Sequence, residues 1–161
     1  MKVAIAAFLA VSLAWPTPGL AGSGRQSDTI EVDYKFRAVC RWLERNEEAL
    51  AESTGARVIQ TVGNLVTLQK ETKHGLQVFR LKREGSGGIY RASFVDRSAG
   101  ELTAYTYQIK LSPISNDRTQ IDVTMTASAE KAYSVSVNVE LRKSIRGLRT
   151  FLQDHLRRQV P

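Results

Sequence analysis

One cysteine, Cys40, is all that this 161-residue chain contains, and a single thiol closes no internal disulfide. A domain of this length can bury enough apolar surface to do without one. Histidine is almost as scarce: His74 and His155 are the two in the chain. Neither a His-Glu-x-x-His nor a paired Cys-x-x-Cys spacing occurs, which excludes the common zinc sites, so no metal and no other cofactor is expected. Cys40 has no histidine in a recognisable cysteine-enzyme context and reads as a small hydrophobe in a helical segment. No catalytic residue is assigned. The stretch Gly85-Ser86-Gly87-Gly88 lacks the lysine and following helix of a phosphate loop and reads as a hairpin turn. Internal repeats and low-complexity segments are absent.

Long hydrophobic runs are missing as well. The uncharged apolar stretch Val3–Trp15 has 13 residues, too few to span a bilayer comfortably. Its surroundings give it another meaning. Lys2 precedes it, Pro16 and Pro18 break it, and Gly19-Leu20-Ala21 places small residues at a cleavage site. Residues 1–21 therefore read as a signal peptide, and the mature protein is expected in the periplasm or secreted. No cysteine follows closely enough to carry a lipid. The chain holds 23 basic and 16 acidic residues, a net charge of +7. Export argues against nucleic acid as the partner for that charge. An anionic membrane surface or an acidic partner fits better, and a basic surface also serves solubility alone.

What remains is patterned. Residues 22–28 are polar and Gly/Ser-rich and read as a flexible lead. Ile30, Val32, Tyr34 and Phe36 then alternate with charged residues, which predicts a strand with one buried face. Val39–Glu52 changes to helical spacing, with Val39, Leu43 and Leu50 on one side and Trp42 beside them. Six more strands are predicted over 57–62, 65–72, 76–83, 89–96, 101–112 and 118–127. Short connections rich in Gly, Asn, Ser and Pro join them into an antiparallel meander. The last segment, 135–158, returns to helix: Leu141, Ile145, Leu148, Leu152 and Leu156 form one stripe, widened by Phe151. Arg142, Lys143, Arg146, Arg149, Arg157 and Arg158 cover the other side.

The order is thus strand, helix, six strands, long terminal helix. Together with Tyr105-Thr106-Tyr107-Gln108-Ile109-Lys110-Leu111-Ser112-Pro113 and Thr119-Gln120-Ile121-Asp122-Val123-Thr124-Met125 ahead of that helix, it resembles the START-like, polyketide cyclase or Bet v 1 (SRPBCC) superfamily over residues 29–158. The resemblance implies an α+β helix-grip fold, a curved antiparallel sheet of about seven strands packed on the C-terminal helix. It also implies a cavity between them that holds a lipid or other apolar small molecule. The second short helix that many members place before the second strand reads as absent or much reduced. The resemblance carries over no functional residue.

The candidates come from the apolar faces. Phe79, Phe94, Tyr105, Tyr107, Met125 and Leu148 would line such a cavity, with the tyrosine hydroxyls as polar handles; the same side chains would equally fill a core. Gly147, in the final helix, would serve close packing or ligand access. Arg142, Arg146 and Arg149 would meet anionic headgroups, or simply face solvent. The leading expectation is an exported domain that binds or carries a lipid or other apolar molecule. The alternatives are a filled-core envelope interaction module and a cyclase or aromatase enzyme. Such an enzyme would need an inward acid/base pair, drawn from strand residues such as Arg80, Arg91, Asp96 and Asp122.

Overall fold

A computed structural model describes residues 22–73, 75–130 and 134–159. The expected signal peptide and His74 lie outside the described residues, as do the side chains of Arg157 and Arg158. The elements follow in the order β1 (Ser23–Val32), α1 (Phe36–Arg45), α2 (Glu47–Ser53), β2 (Arg57–Val62), β3 (Leu65–Thr72), β4 (Gly75–Ser86), β5 (Ile89–Ala99), β6 (Leu102–Pro113), β7 (Thr119–Ala129) and α3 (Ser134–Gln159). The strands form one antiparallel sheet in the order β1-β7-β6-β5-β4-β3-β2. Register shifts in the β2–β3, β4–β5 and β6–β7 pairings mark bulges, which bend strands and increase twist. The sheet curves around α3, and this is the helix-grip arrangement expected from the element order.

Alternation sets which face is buried. On β7, Thr119, Ile121, Val123, Met125 and Ala127 point inward, and on β6 so do Tyr105, Tyr107, Ile109 and Leu111. The stripe on α3 meets them: Leu141, Ile145, Leu148, Leu152 and Leu156 are all buried, the last two completely. Burying one such leucine contributes roughly 1.5–3 kcal/mol.

Two local expectations are corrected. Residues 23–28 are no flexible lead. They belong to β1, which pairs with β7 from Ser23↔Ser128 to Val32↔Thr119. Alternation was hidden there because the inward positions are polar. Gln26 donates to Asn138 Oδ1 at 3.2 Å, and the Asp28 carboxylate pairs with Arg149 at 3.1 Å, so this half of β1 meets the flank of α3 through polar contacts. At its other end the strand stops at Val32, and Phe36 already opens α1.

The second short helix is also present. The segment read as one helix divides at Asn46, which caps α1 and precedes α2. The Asn46 side chain donates to the Trp42 carbonyl at 2.7 Å, and its backbone N–H reaches Leu43 rather than Trp42. An amide competing for the helix's own carbonyls in this way ends the α-helical ladder.

Gly147 has a clear reason. A Cβ at this position would overlap the Ser53 carbonyl oxygen. The glycine lets α3 lie directly against the end of α2, so close packing accounts for it.

Candidate ligand-binding cleft

The inward rows do not fill the space evenly. Along β7 they shrink from Ile121, Val123 and Met125 to Ala127 and Ala129. Where the alanines stand, the N-terminal half of α3 and the sheet leave a cavity of about 80 Å³. Phe79, Leu102, Tyr105, Ala127, Val137 and Leu141 give it apolar walls. Polar side chains line it too: Thr72, Gln77, Glu101 and Glu140. The β5–β6 turn closes on Gln77, whose Oε1 accepts the Leu102 N–H at 3.1 Å. A Cβ on Gly100, which has φ of +100°, would strike that amide, so the turn needs glycine for both space and conformation.

Lys70 and Ser144 complete the lining. Lys70 follows Val66 and Leu68 on the inward face of β3. Its ammonium donates to the Thr54 carbonyl at 2.9 Å and to Ser144 Oγ at 2.5 Å. Ser144, itself buried, donates to the Glu140 carbonyl at 2.9 Å. Burial pushes the Lys70 pKa below its ordinary value, against the pull of the Glu140 carboxylate, with Lys143 also lowering it. Burial likewise holds the Tyr105 hydroxyl protonated well above the usual tyrosine range, with the nearby Tyr107 adding to the rise. The Tyr105 ring lies 5.4 Å from that of Phe79 and 6.5 Å from that of Tyr107, measured between centroids.

Two of the six side chains expected to line a cavity therefore do so, Phe79 and Tyr105. Tyr107 instead borders a separate hollow of about 20 Å³ beneath α2, together with Glu47 and Arg83. Burial and the Glu47 charge push its hydroxyl up to about 12. Met125 and Leu148 are packed into the core, and Phe94 is half-buried against it, opposite Leu81. Lys70, Ser144 and Gln77 were missed. For Lys70 the signal was available: the two-residue period that puts Val66 and Leu68 inside puts Lys70 there too. Ser144 sits within the leucine stripe, three residues after Leu141 and four before Leu148.

The other charged candidates face outward. Arg80 pairs with Asp96 through two hydrogen bonds on the exposed side of the sheet. Arg91 binds Gln108, and Asp122 accepts from Thr29 and Gln120. None of these four residues lines the cleft, so they do not form an inward acid/base pair. Arg142 and Arg146 are exposed on α3, whereas Arg149 is tied to Asp28.

No family model matches the sequence, and no curated protein sequence is significantly similar to it. Solved structures are. A START superfamily protein from Mycobacterium smegmatis superposes with a TM-score of 0.63 at 13% identity, over 81% of this chain and 95% of that one. The Zhui aromatase/cyclase from Streptomyces sp. R1128 gives 0.62 at 12% identity, over 84% and 95%. The major latex-like protein 151 of Panax ginseng gives 0.58 at 10% identity, over 85% and 98%. The chain is similar to these in fold.

Proposed function

We propose that this protein is an exported binding protein that takes a small, largely apolar molecule, or one end of a lipid, into the cleft between α3 and the sheet. The observation that carries this reading is the cleft itself, an apolar hollow with the half-buried ammonium of Lys70 in its lining. Its size narrows the occupant. Sites that enclose a drug-sized ligand have roughly 300–1,000 Å³, and this cavity has about 80 Å³. A whole sterol or polyketide does not fit the cleft as it stands, but a short chain or the edge of one ring does. The proteins it superposes on include an aromatase/cyclase, which is consistent with a fold that admits such molecules. The exposed Arg142 and Arg146 would bring the protein to an anionic membrane surface.

Native mass spectrometry of protein purified from its own host tests the reading, with titration of a dye for apolar cavities as a second probe. Bound small molecules, or dye binding blocked by Ala127→Leu, support it. An empty protein that binds no dye defeats it. For export, the mature N-terminus is expected near Gly22, and a mature chain starting at Met1 rejects that part. A second reading, a filled-core interaction module of the cell envelope, draws on the packing of Met125 and Leu148 into the core. It predicts that filling the cleft changes nothing but stability.

A further inference from the structure

We propose that Lys70 anchors the occupant of the cleft by receiving its carboxylate, so that the ligand class is a small apolar carboxylic acid in its anionic form. This rests on the cleft being a binding site, as argued above, and specifies what binds there.

The argument starts from the donor count. An ammonium has three N–H donors. The Thr54 carbonyl takes one and Ser144 Oγ takes another. Ser144 has spent its own proton on the Glu140 carbonyl, so toward Lys70 it acts as an acceptor. Among the described residues the third donor has no partner, and Lys70 is part of the cleft lining.

Charge adds a second, independent reason. A cation taken out of water is costly unless it is paired. Among the described residues, Lys70 forms no ion pair within 4.0 Å. Glu140, the carboxylate that acts on it from α3, is drawn instead to the exposed Lys143 at 3.1 Å. Thr54 and Ser144 offer neutral dipoles. They position the ammonium without neutralising it. A ligand carboxylate would supply the missing counter-charge and the missing acceptor together, while Phe79, Tyr105 and Leu141 take its apolar part. An alcohol or ester would supply an acceptor without the charge.

The test uses matched probes on the mature protein: benzoate, benzyl alcohol and methyl benzoate, titrated by calorimetry or followed by NMR shifts. Benzoate is expected to bind wild type about tenfold or more tighter than the two neutral probes. Lys70→Met keeps the length and apolar character of the side chain and is expected to abolish that preference while retaining the neutral probes. Neutral probes that bind as well as benzoate to wild type overturn the anchor and leave the cleft as a binding site. So does a preference that survives in Lys70→Met. The wild-type comparison stands whether or not the variant folds. If none of the three probes binds wild type, the cleft reading fails and the anchor fails with it.

Discussion

The two ends of the α3–sheet interface are built from the same pattern and finish differently. At one end Leu152 and Leu156 share the core with Ile121, Val39 and Leu43, all fully buried, and the Trp42 ring lies tilted against that of Phe151 at 5.7 Å. Helices α1 and α2 add Val39, Trp42, Leu43, Leu50 and Ala51 to the buried core here. At the other end the sheet offers Ala127 and Ala129, no third layer among the described residues covers the interface, and a polar residue, Lys70, takes a position where the alternation calls for an apolar one. The difference teaches that helical and strand periodicity bring two faces together but do not fill the space between them. Side-chain volume does that, residue by residue.

The largest effect should separate the ends directly. Leu152→Ala leaves a void in closed packing and is expected to cost about 3–5 kcal/mol. Leu141→Ala opens onto a cleft that already exists, and its cost should fall near 2 kcal/mol. Denaturant titration of both variants checks this, and equal losses would mean that the cleft end is packed as tightly as the other.

Alkali should act next. Burial and the Glu47 charge push Tyr107 up to about 12 from its unperturbed 10.0, and burial raises Tyr105 in the same direction. The folded state therefore holds these protons after the unfolded chain has lost them. Their contribution is complete below pH 10 and is lost as pH rises toward 12, about 2–3 kcal/mol for Tyr107. Lys70, lowered in the fold, acts in the opposite sense: its contribution increases as pH rises toward 10.5, its unperturbed value. Unfolding free energies measured from pH 8 to 12 should turn downward above pH 10. A flat profile would mean solvated tyrosine hydroxyls.

Gly147→Ala tests the contact between α3 and α2. Alanine favours a helix interior by about 1 kcal/mol, yet here its Cβ would press on the Ser53 carbonyl oxygen. A net loss of about 1–3 kcal/mol is expected, and a stabilised variant would show that the helices part easily. Ala127→Leu probes the open end in reverse. It fills the cleft, should change stability by less than about 1.5 kcal/mol, and should eliminate dye and probe binding. Smallest of all is Arg149→Gln, which removes a partly exposed pair with Asp28 and should cost at most about 1 kcal/mol. On anionic vesicles Arg142 and Arg146 should matter more than Arg149, by about 1 kcal/mol each at low salt and less at high salt. Sedimentation of the single Arg→Gln variants with liposomes distinguishes them.

By itself the sequence determined the six strands from β2 to β7, the turns between them and the buried face of α3. Arg57–Val62 and Leu65–Thr72 are strands over the very residues that alternation and the Gly63-Asn64 turn delimit, and α3 extends one residue beyond the expected 135–158 at each end. These features are local: period, turn chemistry and amphipathic spacing act within a few residues. The first half of β1 was illegible because its strand character comes from β7, a hundred residues away, and its inward side chains are polar groups matched to α3. The break at Asn46 lay in one side-chain hydrogen bond. Only the tertiary structure decided where the apolar faces meet closely and where they leave a gap. Tyr107, Met125 and Leu148 share their pattern with Tyr105 and Phe79, yet they lie in packing or beside another hollow. A cavity is a difference between volumes contributed by distant strands and one helix, and no single segment contains that difference.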